Sequence, residues 1–254
     1  MPVIADQFYY FYSSQERTGL PLIFVHGAGG IHLYWPIELR RLGNHRVYAL
    51  DLPGHGRSGG RGKQSISAYA EDVLRWMAAI GIPRGVFIGH SMGAAIAMTI
   101  ALENPGSMLG LGLIGAAARL RVSPELMQYA NSATTYHRAI ELLVRWSFSP
   151  SSSEKLMVLA AKRLSETRQS VLFGDLLACN DFDITSRVSS IHTPTIVICG
   201  AEDKMTPIRH SNFLHTQIKG SKLCIIEEAS HMVMLEKPIE VAKNLSSFLA
   251  SLEK

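Results

Sequence analysis

Short apolar runs recur along the chain, each followed by a turn and then by a segment with helical spacing. Residues 22–25, 47–50, 86–88, 109–114, 195–199 and 223–226 form these runs, and several are rich in Val and Ile. Their hydrophobicity is continuous rather than alternating, which suits strands covered on both faces, as in a parallel sheet. Between them, Ile66, Tyr69, Ala70, Val73, Met77 and Ile80 follow the i, i+3, i+4, i+7 rule of an amphipathic helix. Ser65 or Ser67 can cap that helix, and Gly81 with Pro83 ends it. A last helix opens at Pro238, a good first-turn position, and buries Val241, Leu245, Phe248 and Leu249. This alternation predicts an α/β fold with a doubly wound, mostly parallel sheet. The segment up to Tyr12 reads as an antiparallel edge strand or pair.

One stretch breaks the rhythm. Residues 116–188 contain no strand pattern, only helical patches at 124–129, 136–146 and 154–164. The chain is therefore expected to divide into a core, residues 1–115 and 189–254, and an inserted helical lid, residues 116–188. Such insertions at a sheet edge are where specificity tends to reside.

Composition narrows the function classes. Hydrophobic residues make up 47% and charged residues 18% of 254, enough to bury a large core and inconsistent with a disordered chain. The net charge of +4 is spread among interleaved acids, with no long run of one sign, so a nucleic-acid surface is not expected. Cys179, Cys199 and Cys224 are odd in number and lack C-x-x-C spacing, which argues against a disulfide framework and a zinc site. Cys199 and Cys224 sit in strand-like runs and read as buried, inert thiols. Neither a basic N-terminal stretch with an apolar follow-on nor a long apolar run is present. A cytoplasmic protein without membrane contact is the expectation.

The sharpest local signal is Gly89-His90-Ser91-Met92-Gly93, a G-x-S-x-G match. It follows an apolar strand and opens a helix of small residues, Ala94 to Ala97 among them, which is the setting a nucleophile elbow requires. A serine hydroxyl is too weakly acidic to attack a carbonyl unaided, so it needs a base, and the base needs an orienting group.

Two further stretches give the chain a family likeness. Residues 22–28, Leu-Ile-Phe-Val-His-Gly-Ala, resemble the strand-then-HG motif of the α/β-hydrolase family. Residues 51–58, Asp-Leu-Pro-Gly-His-Gly-Arg-Ser, are similar to its D-x-P-G-x-G-x-S loop. The resemblance runs from about Leu20 to the C-terminus and implies the chain order nucleophile, acid, histidine. Residues 200–207 resemble the family's G-x-x-D-x-x-x-P loop and put Asp203 at the acid position, with Glu202 as its close rival. Residues 229–238 resemble the histidine loop and put His231 at the base position, although Ser230 stands where glycine is usual. His26, His55 and His90 fall at positions that are structural or variable in the family. His32, His45, His137, His192, His210 and His215 read as solvated surface, and no metal-ligating spacing appears.

By the same resemblance the oxyanion of an attacked carbonyl is held by two backbone N–H groups. One belongs to Met92, the other to Ala28, with Gly29 as runner-up. The substrate pocket is expected around Gly27, Gly29, Trp146 and Met232. Small Ala28 leaves room for an acyl group, and Leu126, Met127, Tyr129, Leu142, Leu143, Trp146, Phe148 and Met157 either line an apolar cavity or pack the insertion. The expected activity is cofactor-free hydrolysis of an uncharged small-molecule carboxylic ester. Carbon–carbon bond hydrolysis, perhydrolysis and ligand reception without turnover are the alternatives. Dehalogenase or epoxide-hydrolase chemistry would need an aspartate at position 91 and is excluded.

Overall fold

The computed structural model describes residues 9–12 and 17–253. Its strands are β1 (Tyr9–Tyr12), β2 (Pro21–Val25), β3 (Arg46–Asp51), β4 (Gly85–His90), β5 (Met108–Ile114), β6 (Thr195–Gly200) and β7 (Lys222–Ile226). They form one sheet in the order β1-β3-β2-β4-β5-β6-β7. Strands β2 to β7 run parallel, and β1 pairs antiparallel with residues 48–51 of β3. The edge strand expected from the sequence is thus β1. The rest of that N-terminal segment lies outside the described residues.

The continuous apolar runs are explained by burial on two faces. Within β2, Ile23 and Val25 point into one core while Leu22 and Phe24 point into the other. The first core is closed by α2 (Ile66–Ala79) and α3 (Met92–Glu103), the second by α1 (Ile37–Arg40) and α10 (Pro238–Leu252). Ser65 is the cap of α2, its side chain accepting from the Ala68 amide at 3.3 Å. Helix α3 is buried from Met92 to Ala101, which its run of small residues permits. The fold is completed by α8 (Ile208–Gln217) and α9 (Val233–Glu236). Cys199 is buried, but Cys224 is only half-buried because β7 is an edge strand.

Between β5 and β6 the chain forms α4 (Pro124–Ala130), α5 (Tyr136–Ser147), α6 (Glu154–Ser165) and α7 (Gln169–Asp181). They pack on one another around Leu126, Leu143, Leu164 and Leu172. A bridge between Arg119 and Asp183 brings the two ends of this insertion together at the sheet. Three of these helices match the helical patches in the sequence. The fourth, α7, carries no clear stripe because it is apolar on several sides: Leu172 and Leu176 face the insertion, while Ala178 and Cys179 face the main core.

Candidate active site

Ser91 sits between β4 and α3 with φ 52° and ψ −114°, one of two non-glycine residues with positive φ among those described. That conformation costs on the order of 1–3 kcal/mol and must be imposed by its surroundings. Here the Ser91 amide donates to the Ile114 carbonyl of β5 at 2.9 Å, and the Ser91 carbonyl caps α3 by accepting from Ala94 and Ala95. Glycine on either side is a steric need. A Cβ at Gly89 would collide with the Gly93 carbonyl, and one at Gly93 with the Val25 carbonyl.

The loops after β6 and β7 bring Asp203 and His231 together. His231 Nδ1 donates to Asp203 Oδ2 at 2.8 Å, which leaves Nε2 with its lone pair free to take a proton. Asp203 is almost wholly buried, and each oxygen is satisfied: Oδ1 accepts from the Met205 and Thr206 amides at 2.9 and 2.8 Å, and Oδ2 also accepts from Thr206 Oγ1 at 2.7 Å. Burial alone would raise its pKa, but His231 and these donors outweigh burial and hold it well below the usual carboxylate range. The neighbouring Glu202 is exposed and its Oε2 accepts from Ser149 Oγ at 2.6 Å. Glu236, from the same motif as His231, accepts from the Ser230 and Ser149 amides at 2.8 Å each and from Ser152 Oγ at 2.5 Å. Ser230, in place of the usual glycine, is accommodated by donating its hydroxyl to the Glu202 carbonyl at 3.2 Å.

Buried histidines support this arrangement. His90 Nε2–H donates to the His231 carbonyl at 3.0 Å, and the two rings lie 4.7 Å apart. His26 Nδ1–H donates to the Gly27 carbonyl at 2.8 Å while Nε2 accepts from the Leu52 amide at 3.1 Å, which fixes its neutral tautomer. Gly30 N–H adds a second bond to the Gly27 carbonyl at 3.0 Å. In a planar trans peptide the Ala28 N–H points opposite that carbonyl, so holding one aims the other. Met92 is the first residue of α3, and its amide has no intrahelical acceptor. His32, read from sequence as surface, is buried: its Nδ1 lies 2.9 Å from Asp51 Oδ1, helping to fix the loop after β3.

Above Ser91 lies a cavity of about 740 Å³. Gly27, Ala28, Trp146, His231 and Met232 line it, whereas Gly29 does not. Gly29 has φ 65° and turns toward the insertion, where its N–H donates to Asp175 Oδ2 at 2.8 Å. It is therefore neither a lining residue nor an available oxyanion donor, which corrects the sequence expectation. Of the apolar residues considered on the insertion, Leu126, Leu143, Trp146 and Phe148 line the cavity; Met127 and Tyr129 pack against the insertion's own core, Met157 packs against the second core, and Leu142 is half-buried and does not line the cavity. The lining also includes Arg119, Arg121, Lys204, Arg209 and His210 and, among the described residues, no carboxylate. Among the described residues no group of three His, Cys, Asp or Glu is gathered to hold a metal ion, and no helix is long and apolar enough to cross a membrane.

The neutral histidines give the fold an acid-sensitive core. Burial, then His55, lowers His26 to about 4; burial, then His231, lowers His90 to about 3. Both take up a proton near 6.5 in the unfolded chain, so their contribution is complete above pH 6.5 and is lost as pH falls toward the folded values. His55 has the opposite sign: burial opposes its charge, but Asp175 raises its pKa, so its contribution is complete below 6.5 and lost as pH rises through the folded value. Urea unfolding is therefore expected to show a stability loss on the order of 3 kcal/mol or more between neutral pH and about pH 4. His90→Gln should flatten that slope, and a profile level down to pH 4 contradicts the assignment of neutral buried rings.

The profile of the alpha/beta hydrolase fold family matches residues 21–238. The chain belongs to that family. Over 248 residues the hydrolase is 27% identical to RutD of Agrobacterium fabrum, a proposed carbamate hydrolase, covering 90% of this chain and 92% of the relative. It is 25% identical over 239 residues to 3-oxoadipate enol-lactonase 1 of Acinetobacter baylyi, covering 91% and 89%. Among solved structures, a thermophilic esterase is 30% identical and superposes with a TM-score of 0.83 over 96% of this chain and 98% of the other.

Proposed function

We propose that this hydrolase cleaves a small carboxylic ester or lactone through an acyl-enzyme on Ser91. The observation that carries the reading is that His231, paired with buried Asp203, lines one cavity with a strained, half-buried Ser91. In the proposed cycle His231 Nε2 takes the hydroxyl proton as Ser91 Oγ bonds to the substrate carbonyl carbon. The carbonyl electrons move to oxygen, and the amides of Ala28 and Met92 stabilise the resulting charge. Collapse breaks the bond to the alkoxy oxygen, which leaves with the proton from His231. A water molecule then repeats the sequence and frees the acid. The hydrolytic relatives act on a carbamate, an enol-lactone and an ester by name, all of them acyl carbonyls this machinery can attack.

The basic lining modifies the expectation of an uncharged ester. Arg119 and Arg121 share the single carboxylate of Asp183, and Lys204 and Arg209 form no ion pair among the described residues. A substrate with an apolar acyl group and an anionic alcohol portion matches that distribution. A matched pair, 4-butyryloxybenzoate and its methyl ester, tests both parts. Turnover of either ester together with labelling of Ser91 by a fluorophosphonate supports the acyl-enzyme. The kcat/KM ratio of acid to methyl ester should fall up to about fivefold from low to high salt and again in Arg209→Ala. A ratio that ignores both refutes the anionic preference, and labelling elsewhere refutes the nucleophile.

A further inference from the structure

We infer that the helical insertion positions the oxyanion loop, through Asp175 of α7 and Thr167 just before it. The inference rests on the reading of Ala28 as an oxyanion donor. Both peptide groups of Gly29, the residue after Ala28, are bound by the insertion. Its N–H donates to Asp175 Oδ2 at 2.8 Å and its carbonyl accepts from Thr167 Oγ1 at 2.9 Å. Thr167 is in turn held by Tyr136, whose hydroxyl donates to the Thr167 carbonyl at 2.7 Å.

Asp175 is itself fixed from two further directions. Its side chain has no exposure, and neither does that of His55, whose Nε2–H donates to Asp175 Oδ2 at 2.8 Å. His55 Nδ1 lies 3.2 Å from the Pro53 carbonyl, so both ring nitrogens face acceptors, an arrangement that favours the protonated ring beside the Asp175 carboxylate. Tyr69 of α2 donates its hydroxyl to Asp175 Oδ1 at 2.5 Å and accepts from the Lys63 amide at 2.9 Å. A buried ion pair of this kind contributes little net stability, and removing one partner leaves a costly uncompensated charge. Its geometric effect is plain: α7, α2 and the loop after β3 converge on one carboxylate, and that carboxylate holds the peptide next to Ala28.

Positioning acts on kcat more than on KM, because the oxyanion exists only in the transition state. Thr167→Val removes only the hydroxyl's bond to Gly29 and keeps the side chain's shape; Thr167→Ser keeps the hydroxyl. The expected result is a kcat lowered about tenfold in Thr167→Val with KM nearly unchanged, near-normal kcat in Thr167→Ser, and up to about 100-fold loss in Asp175→Asn. A boronic acid inhibitor, which mimics the tetrahedral species, should lose affinity by the same factor as kcat/KM. A folded Thr167→Val protein with unaltered kcat, or with only KM raised, overturns the positioning role. Should Asp175→Asn fail to fold, the Thr167 pair still decides. Turnover persisting in Ser91→Ala overturns the acyl-enzyme reading and this inference together; an inactive Ser91→Ala with normal Thr167→Val overturns this inference alone.

Discussion

Ser91→Ala should leave a folded protein whose kcat for any ester substrate is lowered by roughly 10⁴-fold or more, because the covalent route is lost while the oxyanion donors remain. The substitution removes one oxygen from a half-buried position, and the backbone bonds that hold the elbow, Ser91 N to Ile114 O and Ala94 N to Ser91 O, do not involve the side chain. Stability is expected to change little or to rise, since alanine makes no demand for a partner. The measurement is single-turnover kinetics alongside a thermal melt. A variant that melts as the parent does and retains a tenth or more of its turnover contradicts Ser91 as nucleophile.

The two adjacent carboxylates separate more sharply. Asp203→Asn should cost orders of magnitude in kcat, on the scale of 10⁴-fold, because an amide nitrogen offered to His231 favours the wrong tautomer and cannot stabilise its charged form. The surrounding donors, two amides and the Thr206 hydroxyl, are arranged for an acceptor and would conflict with an NH₂ group. Glu202→Gln removes a charge that is exposed and bonded to Ser149 rather than to the histidine ring, and should change kcat by less than about tenfold. Reversed phenotypes would mean that the acid has been assigned to the wrong neighbour.

The strands and most helices could be read directly because local pattern and burial agree in them. That Asp203 and His231 would meet, with His231 lining one cavity with Ser91, was legible because each sits in a stretch that resembles a family motif. Glu202 could not be set aside from sequence alone, since the choice depends on which side chain turns inward. Gly29 departs from the expectation for a related reason: a glycine beside a candidate oxyanion donor reads as pocket, and only the fold reveals that Asp175, 146 positions away, takes its N–H. Asp175 itself gave no signal, being one of two acids in α7, set in the helix's apolar middle and outside any recognised motif. The basic cavity lining was equally silent, because Arg119, Arg121, Lys204 and Arg209 come from two loops and a helix that meet only in the folded chain.

The insertion is stitched to the core along two separate seams. Along one, Thr167 and Asp175 hold Gly29; along the other, the Ser147 carbonyl accepts from the Met232 amide at 2.9 Å, and Glu236 binds Ser149 and Ser152. Lifting the insertion as a rigid flap would break both seams at once, and with them the placement of Ala28 and of His231. A rigid swing of the insertion is therefore expected to be costly, and passage between the two seams, past the basic lining of the cavity, is the expected route for substrate.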